Sequence, residues 1–490
     1  MMRRPIDAPD TRLRPTRRLF MRVAALGLPG GGLGACGAGA AAPPTAPPAP
    51  ASPSPAAGDA IAADPSNYLS KLAQLKPGDT LVLAAGHYGI DAQGNDTADV
   101  PGLPIFNLHG TAAAPIVITG PATGPRPVFA GRDSHNTIRF ANASFVVVRR
   151  LAIDGRGRAG FGVATDGPTH DITIEDNHFR GFGGDQQIVA ISTTGDPTWN
   201  WIIRGNLIDG AGTGIYLGNS NGDSPFVAGL IERNVILNSI GYNLQIKHQV
   251  PWSDVPQGMP TGPTATVIRH NVFSKSANSA TGANARPNLL VGDGPPSGPG
   301  STNGFAIYGN FFWQNPTESL FQGEGNIAFY ANLMVSSGAA VRVQTHNGAV
   351  RDVRIFHNTA ISTAAPAAIS VGGGIAGTTQ RVLGNAVFAA SASAIATRGA
   401  TASATDNATD FATNAPTYLN APFASLGSLD LYPRTGSALK QAVAADTRGL
   451  ASLPDWNRDF NGNLHDSTFR GAYRGEGANP GWMPALDFKP

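Results

Sequence analysis

Short stretches of alternating apolar and polar residues recur along most of the chain. From residue 172 onward each stretch leads to a polar pair, an Asn, one further residue and another apolar residue, as in the segment Ile172 to Phe179 around Asn177. A second alternating stretch, such as 214–217, follows about eight residues after the Asn. Apolar residues at every second position are typical of β-strands. The pattern predicts two or three short strands per repeat and no long helix between them.

The Asn residues define the length of the repeat. They are spaced 29, 28, 37, 39, 22, 26 and 27 residues apart, at Asn177, Asn206, Asn234, Asn271, Asn310, Asn332, Asn358 and Asn385. Such repeats are typical of a parallel β-helix in which each repeat forms one coil, whereas a leucine-rich repeat needs a Leu lattice and a propeller blade needs about 40 residues. We therefore predict an all-β, single-stranded right-handed parallel β-helix of about ten or more coils. The recurring Asn is expected at a bend in αL geometry, with its side chain bonded to its copies one coil away, which is a structural role.

The two ends of the predicted β-helix differ from its middle. An Asp-capped amphipathic helix is predicted from Asp64 to Leu75, where it would cover the open end of the β-helix, and the first strand is expected to begin at Thr80. The regular phrase is lost after residue 400. We assign 61–400 to the β-helix and 401–490 to a C-terminal coil and cap region, which we expect to be irregular.

The first 60 residues have the composition of an export signal followed by a tether. Arg17 and Arg18 precede a short apolar stretch that ends in small residues and Cys36, the single cysteine of the chain. This layout resembles a twin-arginine signal with a lipoprotein box over residues 1–36, and 37–60 is an Ala, Pro and Ser linker. We predict lipidation of Cys36, membrane attachment through that lipid anchor, and a bacterial cell-envelope location as an exported periplasmic or outer-membrane lipoprotein.

Composition narrows the classes of partner. The 490 residues include 61 Gly and 39 Pro with only 14% charged residues, which disfavours coiled coils and long charged helices. The net charge of +2 arises from seven Arg in residues 1–35, and the rest of the chain has 28 basic and 31 acidic residues. Bulk charge therefore favours no nucleic-acid partner. We expect a monomer.

Several N-terminal segments resemble a known family. They are 75–88, 114–120, 126–131 and 145–155, and they are similar to the N-terminal part of pectate-lyase-like β-helix proteins, nearest to the alginate lyase and chondroitinase B group. The resemblance implies a uronate polysaccharide as substrate and cleavage by β-elimination. In that group a Lys and an Arg on neighbouring coils carry the chemistry, and Lys247 matches the Lys. The next coil reads Leu289 to Asp293 where the group has an Arg-His-Gly phrase, so the matching Arg is missing.

Extra residues between Asn234 and Asn310 predict loops on one part of the β-helix. They are 249–264, 274–285 and 292–303, and we expect them to wall a groove. Alternation places one outward row at Tyr216, Gln245, Leu290, Arg342 and Ser370, and a second at Gly218, Lys247, Gly292, Gln344 and Gly372. The stretch 320–324 does not alternate cleanly, and its faces are not assigned. Lys247 is expected over a glycine floor suited to a sugar ring.

The candidate roles follow from the needs of β-elimination, which are a base, a group that neutralises the sugar carboxylate, and an acid. The catalytic candidates are Lys247, His248, Tyr216 and Arg286. The candidates for substrate binding are Gln245, Arg342, Gln344, Asp293, Glu324 and Trp252.

Two other functions stay open at this point. One is a glycoside hydrolase using a carboxylate pair such as Asp293 and Glu324. The other is a glycan-binding or structural protein with aromatic platforms. No cofactor is assigned, and a Ca²⁺ requirement is left open. The stretch 459–463 resembles a calcium loop only superficially, because Gly462 stands at the fourth rather than the sixth position of an EF-hand pattern.

Overall fold

Almost every strand pairs in parallel with the strands of the preceding and following repeats. The structure is a computed structural model, and it describes residues 58–90, 102–133, 135–443 and 448–490. The predicted signal, Cys36 and nearly all of the linker lie outside these described residues. Among the described residues the strands form one 24-stranded sheet, one 12-stranded sheet and one two-stranded sheet.

The 24-stranded sheet contains two rows of strands that share Ile138–Arg149 and Val163–Glu175, because each of these long strands continues from one row into the other. We use the name sheet 1 for the row of strands that precedes the recurring Asn of each coil. The 12-stranded sheet that follows the Asn is named sheet 2, and the remaining row is named sheet 3. Each coil passes through the three sheets in turn. The 12 strands of sheet 2 confirm the prediction of a right-handed parallel β-helix with at least ten coils.

Apart from the two shared strands, sheet 1 comprises Ala60–Ala63, Thr80–Leu83, Ile116–Thr119, Ile202–Arg204, Leu230–Glu232, Ala265–Arg269, Gly304–Tyr308, Gly325–Tyr330, Val350–Phe356, Gln380–Leu383 and Ala402–Thr405. Sheet 2 comprises His87–Tyr88, Val128–Ala130, Ala152–Asp154, His178–Arg180, Leu207–Asp209, Val235–Leu237, Val272–Ser274, Phe311–Trp313, Leu333–Ser336, Thr359–Ser362, Ala386–Ala389 and Ala408–Phe411. Sheet 3 comprises Leu103–Phe106, Val189–Thr193, Thr213–Leu217, Leu244–Ile246, Leu289–Val291, Phe321–Gly323, Val341–Val343, Ile369–Val371 and Ile395–Thr397. Two further short strands lie beside the middle of Val163–Glu175. Thr198–Trp199 pairs with that strand, and Phe226–Val227 pairs with Thr198–Trp199.

The core is a stack of apolar rows, one for each inward strand position. In sheet 1 the strand pairing aligns Ile203 with Ile174 and with Ile231, and all three are fully buried. This stacking follows from period-2 alternation, since equivalent positions of successive coils lie about 4.8 Å apart. The hydrophobic effect therefore favours the coil register that keeps like positions together.

The Asn ladder is confirmed, but the predicted αL geometry of the Asn was wrong. Asn271 donates its side-chain Nδ2 to Asn310 Oδ1 at 3.0 Å and to Ile231 O at 2.9 Å, and its Oδ1 accepts from the main-chain N of Asn234 at 2.9 Å. The positive φ belongs to the residue before each Asn, for example 56° at His270. That residue makes the bend, which leaves the Asn side chain pointing inward and fully buried. The ladder continues to Asn407.

The ends of the β-helix extend slightly beyond the predicted bounds. The predicted helix is present but short, Tyr68–Leu72, and its buried Tyr68 and Leu72 pack on the first coil. The strand Ala60–Ala63 precedes it and pairs with Thr80–Leu83, whose start at Thr80 is as predicted. At the other end, strands up to residue 411 form a further coil past the predicted boundary at 400.

The C-terminal region is irregular, as predicted, and it packs against the outside of the β-helix. It contains the antiparallel strands Leu419–Ala421 and Asp430–Pro433 and the 3₁₀ helices Ala412–Thr417 and Arg448–Leu450, while a third 3₁₀ helix, Gly282–Asn284, lies earlier in the chain. Phe460 and Tyr473 belong to the cluster that covers outward apolar residues of sheet 2. Within the described ranges, none of the helices has the length and apolar character needed to cross a bilayer.

Candidate functional site

The three predicted insertions are loops beside sheet 3. They occupy residues 247–264, 275–288 and 292–303 between the flanking strands. The first and third are joined by Trp252, because a Cβ added at Gly300 would lie 2.4 Å from the Trp252 ring. The Trp252 indole N–H also donates to Gln249 Oε1 at 3.1 Å. Trp252, which belongs to the first loop, therefore packs against the third loop.

A cleft lies on sheet 3 at the coils next to these loops. It lies where three successive strands end, at Ile246, Val291 and Gly323. The cleft is lined by Lys247, His248, Leu290, Val291, Gly292, Gln322, Gly323, Glu324, Gln344, His346 and Asn347. It brings together Lys247, His248, Glu324 and Gln344 from the predicted candidates.

Lys247 follows the strand Leu244–Ile246, and its main-chain N–H donates to Leu217 O at 2.9 Å. Its Nζ lies 5.7 Å from the centre of the Tyr216 ring. On the other side, a Cβ at residue 292 would lie 2.2 Å from His248 N, so only glycine fits there. The strand pairing of Tyr216 with Gln245 and of Gln245 with Leu290 confirms the register of the first predicted row. Lys247 therefore lies between glycines, as expected from the alternation.

His248 lies beside Lys247 at the edge of the cleft. Burial lowers the pKa of His248 below its ordinary value of 6.5, and the charge of Lys247 acts in the same direction. Its Nδ1 is buried and makes no hydrogen bond to a described residue. His248 is therefore a neutral imidazole near pH 7, the form that can accept a proton.

Glu324 and Asp293 hold one turn of the chain, residues 345–349, which we call the cleft turn. Glu324 Oε2 accepts hydrogen bonds from the main-chain N–H groups of His346, Asn347 and Gly348 at 2.8, 3.0 and 3.0 Å. Asp293 Oδ2 accepts from Ala349 N at 3.0 Å. Both carboxylates are 4% exposed. Four successive N–H groups are thus bound by two carboxylates from the two preceding coils.

Asp293 also pairs with Arg351, whose Nε lies 2.7 Å from Oδ1. Burial raises the pKa of the Asp293 carboxyl, while Ala349 N–H and Arg351 act in the opposite direction. Arg351 also donates to Pro295 O at 3.0 Å, and residue 295 lies in the third insertion. This network links the cleft turn to the loop 292–303.

The remaining candidates lie outside the cleft lining. Arg286 donates to the carbonyls of Ala283 and Ala285 in its own loop at 2.8 and 2.9 Å. Gln245 is 3% exposed although its row points outward. Arg342 pairs with Glu318 at 3.0 Å, and the Tyr216 hydroxyl bonds the Ser220 hydroxyl at 2.7 Å.

Three cleft residues, Gln322, His346 and Asn347, were missed by the sequence reasoning. Gln322 pairs with Leu290 and with Arg342, so it fills the unassigned coil of the outward row. The alternation there is hidden because the inward position is Gly323, where a Cβ would lie 2.7 Å from the side chains of Phe321 and Ile327. A strict count along the coil would have identified Gln322.

The described residues contain no group of three or more His, Cys, Asp or Glu that could hold a metal ion. In the stretch 459–463, Asp459 Oδ1 accepts from Asn463 N at 2.8 Å and Oδ2 from Arg474 N at 3.1 Å. These carboxylate oxygens are bonded within the protein. The cleft itself offers one lysine amine, two imidazoles and several side-chain amides, and the Glu324 carboxylate in its lining is already bound to the cleft turn. This set suits a hydroxyl-rich anionic ligand.

The fold and the cleft define a parallel β-helix protein with a polar groove on sheet 3. The chain matches no protein-family model and no curated protein. It is similar to the solved structure of pectate lyase Pel9A, with 14% identity and a TM-score of 0.45 over 81% of this chain and 94% of that one. It is also similar to an alginate lyase from Paenibacillus sp. str. FPU-7, with 16% identity and a TM-score of 0.34 over 58% of this chain and 95% of that one. The GH136 lacto-N-biosidase from Eubacterium ramulus has 10% identity and a TM-score of 0.36 over 69% of this chain and 63% of that one. Values this low define neither a family nor an activity.

Proposed function

We propose that this protein binds an acidic, uronate-containing polysaccharide in the cleft of sheet 3 and cleaves it by β-elimination. The observation that carries the proposal is the setting of Lys247, whose amine belongs to a cleft with a glycine floor and with the His248 imidazole beside it. Leu290 offers an apolar surface to a sugar ring, and the side-chain amides of Gln322 and Gln344 suit its hydroxyls.

The chemistry needs two proton transfers. One removes a proton from the carbon next to the sugar carboxylate, and the other gives a proton to the leaving oxygen. In its uncharged form the Lys247 amine accepts the proton from the carbon next to the sugar carboxylate. The electron pair of that C–H bond forms the new C=C bond, and the bond to the leaving oxygen breaks. The Tyr216 hydroxyl returns a proton to that oxygen, and the cleft amides stabilise the charge that develops on the carboxylate.

A hydrolase that uses Asp293 and Glu324 is disfavoured by the bonds these carboxylates make. A glycosidase needs one carboxylic acid that protonates the leaving oxygen and a second carboxylate facing the sugar. Here Glu324 Oε2 is bound to three N–H groups, and Asp293 is bound to Arg351 and Ala349. Neither group is free to take the acid role without loss of the cleft turn.

The test is to incubate the protein with alginate, pectate and glycosaminoglycans and to follow the absorbance of an unsaturated uronate. On the polymer that is cleaved, Lys247→Ala should lower turnover about 10²- to 10⁴-fold, the usual contribution of a placed base. The matched control is Lys76→Ala, because Lys76 is exposed at the far N-terminal end. No absorbance change with any of these polymers, or a Lys247→Ala variant with more than about a tenth of wild-type turnover, would remove this mechanism.

We also propose export through the twin-arginine route, lipidation at Cys36 and a location in the cell envelope. The proposal is supported by the residue order of the N-terminal 36 residues. A Cys36→Ser variant should move from the membrane fraction to the soluble exported fraction, and unchanged fractionation would exclude the anchor. The monomer and the absence of a nucleic-acid partner stay predictions, for which sedimentation and a gel-shift assay are the measurements.

A further inference from the structure

The cleft turn has exposed side chains on a fully anchored backbone. Thr345, His346 and Asn347 are exposed, whereas the N–H groups of residues 346–349 are all bound by buried carboxylates. An exposed turn of this length usually has a mobile backbone, because nothing in the interior holds it. Here two carboxylates remove that freedom before any ligand arrives.

The binding of three consecutive N–H groups to a single oxygen makes this turn an anion-binding concavity that is filled by the protein's own Glu324. The chain also makes room for this arrangement. A Cβ at Gly348 would lie 2.3 Å from Asp293 Cβ, and one at Gly325 would lie 2.9 Å from Asp293 Oδ1. A side chain at either position would push the turn away from its carboxylates.

The turn contributes two polar side chains, His346 and Asn347, to the wall of the cleft that holds Lys247. We infer that Glu324 is a positioning residue that fixes the cleft turn, and that His346 and Asn347 recognise the sugar ring next to the one that Lys247 attacks. The ligand class, a uronate polymer, rests on the proposed function. The positioning role does not, because it concerns contacts within the protein.

The chemistry of glutamine separates positioning from catalysis. The side-chain oxygen of a Gln at residue 324 can still accept the three N–H bonds, but it cannot transfer a proton as a carboxyl does. Glu324→Gln should therefore keep the cleft turn and the turnover, whereas Glu324→Ala should lose the anchor. If Glu324 were an acid or base in the reaction, both variants would lose turnover equally.

The first measurement needs no substrate. Hydrogen exchange of the amides of His346, Asn347 and Gly348 should be slow in the wild type and in Glu324→Gln, and at least about tenfold faster in Glu324→Ala. The matched control is Glu232→Ala, since Glu232 is also 4% exposed but is bound to Arg269 on sheet 1. That variant should lower stability without changing exchange in the turn. Equal exchange rates in the wild type and Glu324→Ala would overturn the positioning role.

The second measurement uses the polymer that the wild type cleaves. Glu324→Ala and His346→Ala should each raise KM about 10- to 100-fold with little change in kcat, the range set by a misplacement of about 1 Å in a binding group. The double variant should be no worse than the poorer single one, because Glu324 acts through the turn. Additive losses would refute the action of Glu324 through His346, and an unchanged KM in His346→Ala would refute recognition by His346. If no polymer is cleaved, the proposed function fails, and the exchange result still decides the role of Glu324.

Discussion

Replacement of one ladder residue, Asn271→Ala, tests how the coils are joined. The Asn271 side chain makes bonds in both directions along the β-helix. Its Oδ1 accepts from the main-chain N and the Nδ2 of Asn234, both at 2.9 Å, and its Nδ2 donates to Ile231 O and Asn310 Oδ1. The variant keeps its own main-chain bond to Asn310 Oδ1, so the loss is confined to the side-chain bonds.

The magnitude follows from the groups left without partners. The buried N–H of Asn234 loses its acceptor, which costs about 1–3 kcal/mol, while Asn234 Nδ2 keeps its bond to Ile203 O at 2.8 Å. The space vacated by the amide adds a smaller cavity cost. We expect the free energy of unfolding to fall by about 2–4 kcal/mol in total.

Guanidinium unfolding followed by far-UV circular dichroism measures this change. The matched control is Asn463→Ala, because Asn463 is exposed in the C-terminal region, and a surface change of this kind should stay within about 0.5 kcal/mol. A loss at Asn271 no larger than that of the control would refute the view that the ladder stabilises the stack.

Three further predictions concern the cleft and the pH dependence of stability. Gly292→Ala should abolish turnover, because the new Cβ would lie 2.2 Å from His248 N and displace the neighbouring base Lys247. The control Gly262→Ala should stay active, since Gly262 has open space around it. An active Gly292→Ala enzyme would contradict the close approach. Since burial lowers the pKa of His248, the unfolded state binds more protons around pH 6.5, so the contribution of His248 to stability should fall as the pH drops through that range. His248→Asn should weaken this fall in denaturant unfolding, and an unchanged fall would contradict the role of that residue. Burial lowers the pKa of Lys489 to about 7, as it does for Lys275, while an unfolded Lys holds its proton to about pH 10. The unfolded state therefore binds more protons between these values, so the contribution of both groups to stability should rise with pH in that window, and Lys489→Met should flatten the rise measured by denaturant unfolding.

The sequence determined the repeating part of the molecule. A strand places alternate side chains on opposite faces, so the alternation alone predicted which residues of sheet 3 are buried and which form the outward rows. Ile215 and Leu244 point inward as expected, and Lys247 lies beside Gly292 because the coil register aligns their strands. These features depend on neighbours within one repeat or one coil away, which a periodic sequence specifies.

The tertiary structure decided everything that depends on a single, non-repeated contact. Arg286 was a catalytic candidate from its place in the sequence, and only the structure shows that its guanidinium bonds carbonyls of its own loop. Glu324 was a candidate for substrate binding, and only the structure shows that its carboxylate binds the backbone of the cleft turn one coil further on. The C-terminal residues that cover sheet 2 follow no repeat. Loop conformations of this kind result from hydrogen bonds and packing between residues far apart in sequence, and no period in the chain encodes them.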